Sequence, residues 1–191
     1  ILFESGRLIS ANSTDRVIQE YLNSATNGSA EVLLTAKYVK NVEIVDGTKN
    51  PITSISVFDP MTIILTLKNM DNLTSPAVSV FVCDQLGDRL IMLGSQLQSD
   101  LQIPRAETIQ IKIETDNLSL APGKYHLDVG VASSFALAEY LRGVKKFSIE
   151  PTDVFGTGRL PKPNQGKILQ KASWVVLESQ SLMQNSVDRN G

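Results

Sequence analysis

The sequence predicts an all-β protein: an immunoglobulin-like antiparallel β-sandwich preceded by a short hairpin and helix. Three observations predict it. Apolar and polar residues alternate in short runs, most cleanly in "TIQIKIETD", where Ile109, Ile111 and Ile113 oppose Gln110, Lys112 and Glu114. Turn signals at Asp46-Gly47, Leu86-Gly87-Asp88 and Pro122-Gly123 separate these runs at the spacing of a sandwich. Strand and helix patterns do not alternate, so nothing favours a parallel sheet.

Taken in order, "ILFE" and "RLIS" read as a hairpin turning at Ser5-Gly6. Ser13 and Thr14 are N-cap candidates, and Asp15 sits where a negative charge suits the helix dipole. Val17, Ile18, Tyr21 and Leu22 then share one helical face, which needs a neighbour because so short a helix is unstable alone. "NSATNGSA" (23–30) is small and polar and reads as a linker. From Ala30 to Gly47 the pattern reads as one or two strands. Ile63, Leu65 and Leu67 alternate with Ile64, Thr66 and Lys68. Val78, Val80 and Val82 begin a hairpin, and a Pro-Gly turn feeds a strand with Tyr125, Leu127, Val129 and Val131 inward. "GVKKFSIEP" ends the set with Phe147 and Ile149 inward, and "SSFALAEYLRG" (133–143) before it reads as a long connection with helical leanings. About seven strands result over roughly 120 residues. The expected units are 1–22, a linker at 23–30, a sandwich over 31–177 and a flexible tail over 178–191.

Composition excludes several functions. Hydrophobic residues make up 42% of the 191, enough for a packed core, and the net charge of −2 carries no basic stripe for nucleic acid. No apolar stretch reaches a bilayer span. The opening has no signal-peptide pattern, lacks Met and starts inside an apolar run, which reads as a piece cut from a longer polypeptide. The single cysteine, Cys83, rules out an intrachain disulfide and favours a reducing compartment. Sequons at Asn12, Asn27, Asn72 and Asn117 are read as incidental there. The single histidine, His126, must serve any Ser-His or Cys-His centre, and one His with one Cys is poor material for zinc. No phosphate-binding Gly-rich loop occurs. "DQLGD" (84–88) lacks calcium-loop spacing and reads as a polar hairpin tip. The expectation is no catalytic residue, no metal and no cofactor.

Two stretches carry a family resemblance. "ILFESGRLISANSTDRVIQEYL" resembles the last strands and helix of an ABC-transporter ATPase domain through Glu4, Gly6, Arg7, Val17, Ile18, Tyr21 and Leu22. "LSLAPGKYHLDVGVAS" and "VKKFSIEPTDVFGTGRLP" with Trp174 resemble the C-terminal domain of Wzt-type subunits of polysaccharide exporters. The matching positions are Leu120, Pro122, Gly123, Tyr125, Val129, Gly130, Phe147, Phe155, Gly156, Gly158 and Trp174. The resemblance implies that 1–22 is a remnant of the ATPase domain, whose Walker motifs lie upstream. It implies a carbohydrate-binding module that recognises an O-antigen-like glycan and couples chain completion to export. It also implies a homodimer, a permease reached through the ATPase domain, and a cytoplasmic location at the inner membrane. Independently, Gly156 and Gly158 permit φ > 0, so the Phe-Gly-x-Gly loop can turn back sharply, and Trp174 is expected to pack on the sandwich or a partner.

A glycan site needs aromatic rings for C–H faces and polar groups for hydroxyls. If "VSVFVCD" and "KYHLDVG" are neighbouring strands, then Ser79, Phe81, Cys83, His126, Asp128 and Gly130 point outward together. Lys146 and Ser148 extend that face on the last strand. The predicted glycan-binding residues are Phe81, His126, Asp128, Lys146, Tyr140 and Arg142. The competing readings are that Phe81 is covered by 132–143, by 168–176 or by a second subunit, and that His126 and Asp128 are a solvated pair. Two other functions compete as well: a dimerisation or docking domain that binds no sugar, and a secreted immunoglobulin-like adhesin.

Overall fold

The computed structural model describes residues 2–4, 7–10, 29–99, 101–162 and 165–175. Strands β1 (Leu2–Glu4) and β2 (Arg7–Ser10) form the expected antiparallel hairpin. The helix read at 15–22 and the tail at 178–191 lie outside the described residues.

Among the described residues eight further strands form two sheets. In chain order they are β3 (Val39–Val45), β4 (Ser54–Ser56), β5 (Pro60–Lys68), β6 (Pro76–Asp84), β7 (Arg89–Gly94), β8 (Thr108–Asn117), β9 (Gly123–Ser133) and β10 (Ala136–Glu150). One sheet runs β3-β5-β8 and the other β4-β10-β9-β6-β7. All pairings are antiparallel except that β4 runs parallel to β10. The alternation seen in the sequence decides which side of each strand is buried. Ile44, Ile63, Leu65 and Leu67 meet Val80, Val82, Leu127, Val129 and Val131 between the sheets, all fully buried. Ile109, Ile111 and Ile113 pack against the same core from β8. At the start of β9 the Tyr125 hydroxyl donates to the Ala121 carbonyl at 2.7 Å, the tyrosine corner of immunoglobulin-like sandwiches.

Two local expectations are corrected, and one strand had not been anticipated. The stretch read as strand from Ala30 begins with helix α1 (Ser29–Thr35), and extended structure starts only at Val39. Glu31 in its first turn favours the helix dipole, and Val32 and Leu33 pack on the core. The segment 133–143 is not a connection: it is a hairpin turn followed by most of the length of β10. Its two turn residues, Ser134 and Phe135, both have positive φ (46° and 68°), as a two-residue hairpin of primed type requires. Finally, β4 has no strand signal, being a short, Ser-flanked piece held by β10.

Residues 151–162 and 165–169 fold back on the sandwich. The Asp153 carboxylate accepts from Thr157 N at 3.1 Å and Gly158 N at 2.7 Å, with Gly156 and Gly158 at φ 67° and 71°. Phe155 meets Phe58 edge-on, with centroids 6.1 Å apart. Lys167 bridges Asp84 at 2.6 Å and Asp88 at 2.7 Å, tying the loop to the β6–β7 turn. Trp174 does not pack on its own sandwich: it is 92% exposed.

Candidate functional site

The outer face of the five-stranded sheet gathers the predicted residues. Strands β6 and β9 are neighbours, with Phe81 opposite Asp128 and Cys83 opposite His126. Lys146 on β10 lies opposite His126, and Tyr140 opposite Gly130. Since Val80, Val82, Leu127 and Val129 point into the core, these partners point away from it together.

Asp128 is the keystone. Its side chain is 6% exposed, and three groups converge on its carboxylate. The Tyr140 hydroxyl donates to Oδ2 at 2.7 Å, and Gly143 N donates to Oδ1 at 2.8 Å. His126 Nε2 stands 3.4 Å from Oδ1, with its own side chain 12% exposed. The pair is therefore buried, not solvated as the simpler reading held. The bulge in β10 between Leu141 and Lys145 makes this arrangement: Gly143 adopts φ 62° there, which turns its N–H onto the carboxylate.

Burial and the hydrogen bond to Asp128 push the Tyr140 phenol up to about 12, so it remains a donor at neutral pH. Burial, reinforced by the Asp128 charge, pushes the Cys83 thiol up to about 12 as well. Burial lowers the His126 pKa, partly offset by the carboxylates of Asp128 and Asp84. Burial also lowers that of Lys146, helped by Lys124.

Above this base sits an aromatic pair. Phe81 and Tyr140 have centroids 6.0 Å apart, tilted by 56°. The Arg89 guanidinium caps both, 4.4 Å from the Phe81 centroid and 4.9 Å from that of Tyr140. Phe81 is thus half-covered, by Tyr140 of the 133–143 segment and by Arg89. Met92, opposite Phe81 on β7, is 45% exposed and borders the same patch. Sequence reasoning missed Arg89. Counting back from the turn pairs Cys83 with Leu90, but a bulge beside Cys83 pairs it with Arg89 instead. Arg142 does not join the cluster: it is exposed and makes no hydrogen bond or ion pair among the described residues.

The face continues along β9 and β10 past Lys146 to Lys124 and Ser148, which lie opposite one another. There it opens into a groove of about 1040 Å³ between the strand ends and the segment after β10, walled by Phe155, Arg159, Leu160 and Lys162. Among the described residues no helix is long and apolar enough to cross a membrane.

Comparison with known proteins agrees with the fold. The family model of the Wzt C-terminal domain matches residues 36–160. The crystal structure of the C-terminal domain of Wzt superposes with a TM-score of 0.58 at 11% identity, over 72% of this chain and 82% of that one. At that identity the likeness shows the fold. A Pseudomonas fluorescens alkylpurine DNA glycosylase, AlkC, bound to DNA containing an abasic site analog also matches, over 72% of this chain and 38% of that one at 12% identity; its TM-score of 0.31 carries no argument. A search of curated proteins found no match.

Proposed function

We propose, from the premise that this chain belongs to the Wzt C-terminal domain family, that its five-stranded sheet recognises the polysaccharide carried by an ABC exporter. Residues 36–160 are a non-ATPase domain of the exporter's ATP-binding subunit. The reading beyond that rests on one observation: Phe81 and Tyr140, braced by Arg89, form a partly buried aromatic cluster beside polar and cationic groups on the outer face of the sheet. Sugar C–H faces stack on such rings, and Lys146, Lys124 and Ser148 offer hydrogen bonds to hydroxyls. From Gly130 to Lys124 the strand covers about 20 Å, room for several sugar units in a row.

The chemistry asked of this face is binding, not bond cleavage. Asp128 holds Tyr140 in place and has both oxygens taken by Tyr140 and Gly143, so it acts as a positioning residue. A single shallow site of this kind binds weakly, on the order of 1 mM, and two in a dimer gain by avidity. In this reading the domain works as a homodimer at the cytoplasmic side of the inner membrane, linked to the permease through the ATPase domain, and ties completion of an O-antigen-like chain to its export. A docking function without sugar is the second reading, favoured by the exposure of Trp174 (92%) and Val175 (79%).

Titrating the protein with polysaccharide purified from its source strain separates the two. Saturable binding that falls at least tenfold in Phe81→Ala and in Arg89→Ala supports recognition. Absence of saturable binding by folded wild-type protein overturns it and leaves the docking reading.

A further inference from the structure

We propose that Cys83, His126 and Asp128 form a binding site for a late first-row divalent cation of the Zn²⁺ class. Residue counting alone argues against zinc, since the chain has one cysteine and one histidine. The β6–β9 register nevertheless sets them directly opposite each other, with Asp128 on the same face. The thiol sulfur, a ring nitrogen and a carboxylate oxygen lie within 4.8 Å of one another.

The His126–Asp128 separation fits an ion better than a hydrogen bond. His126 Nε2 and Asp128 Oδ1 are 3.4 Å apart. A charge-assisted N–H···O bond prefers about 2.7–2.9 Å. Ligands on a tetrahedral zinc, with bonds of about 2.0–2.3 Å, stand about 3.3–3.8 Å from each other. The His–Asp pair already has that separation, and the sulfur lies within 4.8 Å of both.

The donor set selects the metal. Thiolate and imidazole favour zinc and its neighbours, whereas Ca²⁺ and Mg²⁺ take oxygen ligands. A thiolate and a carboxylate together neutralise the dication, so burying the site leaves no net charge. The Asp128 carboxylate is already oriented from outside by Tyr140 and Gly143, the outer hydrogen bonding that metal-bound carboxylates use, and each oxygen keeps a second lone pair. On entry of the ion Cys83 releases its proton to solvent, and three protein ligands leave a fourth position for water. The site would pin β6 to β9 beneath the aromatic platform, and it does not depend on that platform binding sugar.

The test is Co²⁺ titration of the whole chain, freed of any affinity tag and kept reduced, followed by absorbance. The expected result is one equivalent bound, with a thiolate-to-cobalt band in the near ultraviolet and tetrahedral bands in the visible, all displaced by one equivalent of Zn²⁺. Because Cys83 is the chain's single cysteine, that band reports this site alone. Cys83→Ser should abolish the near-ultraviolet band, and His126→Gln should weaken binding at least tenfold. The wild-type result stands whether or not the variants fold. Failure of wild-type protein to bind Co²⁺ or Zn²⁺ saturably below about 100 µM, or binding without the thiolate band, overturns the proposal and leaves the three residues as a closed hydrogen-bonded cluster.

Discussion

The two sheets have the same alternating grammar and very different outer faces. On the three-stranded sheet Glu43, Ile64 and Lys112 lie side by side, and Thr66 meets Gln110 through a 3.3 Å hydrogen bond. Lys112 and Glu114 pair at 2.6 Å, both more than half exposed (55% and 61%). Such a surface needs only water, and an exposed pair of this kind contributes little. The five-stranded sheet instead turns outward a buried carboxylate, two rings and a stacked guanidinium. Burying a charge is costly unless several hydrogen bonds meet it. A sheet that merely had to stay soluble had no need of that arrangement, and this contrast supports the binding role proposed for the second face.

Four measurements break or sharpen the contrast. The largest effect is expected from Asp128→Ala, which strands the Tyr140 hydroxyl and the Gly143 N–H; urea unfolding should show a loss of about 3 kcal/mol. A loss below about 1 kcal/mol would mean the carboxylate is not the keystone. Tyr140→Phe removes one of its hydrogen bonds and should cost about 1–2 kcal/mol; in the wild type, ultraviolet titration should find a tyrosine ionising only near pH 12.

The third concerns pH. Burial holds the His126 pKa below its ordinary 6.5, so the unfolded chain takes up a proton that the folded one resists. Stability should be highest above about pH 7 and fall as pH drops through 6.5 toward the folded pKa, flattening below it. His126→Gln should remove that slope, and an unchanged slope in the variant would exclude His126 as its source. The smallest effect is expected across the molecule: Lys112→Ala or Glu114→Ala should change stability by no more than about 0.5 kcal/mol. A larger loss would erase the distinction between the faces.

Much of this was legible in the residues. The alternation in Ile63–Leu67 and in Tyr125–Val131 was enough to place the core, because a period of two leaves one burial choice per strand. It also put Phe81, His126, Asp128 and Lys146 on one face. What it hid depends on turns and bulges. Phe135 at positive φ is a costly turn residue where Gly or Asn is usual, so "SSFALAEY" carries no hairpin signal. With 133–143 misread, neither the Tyr140 hydroxyl nor the Gly143 amide could be aimed at Asp128, and the carboxylate passed for solvated. Arg89 was lost for a related reason, a one-residue shift at a bulge. The helix at Ser29–Thr35 escaped because Val32, Leu33 and Leu34 suit a strand equally well over so short a run.

One neighbour of the site has mechanical meaning. The Glu139 carboxylate, next to Tyr140 in β10, accepts from the backbone N–H groups of Lys37, Tyr38 and Val39 at 2.6, 2.9 and 3.3 Å. It thereby fastens the two residues leading into β3, and Val39 at its start, to a strand inside the other sheet; β3 itself is an edge strand. Tension on the chain ahead of residue 37 meets three bonds loaded together before β3 can unzip, and the load passes directly into the strand that carries Tyr140.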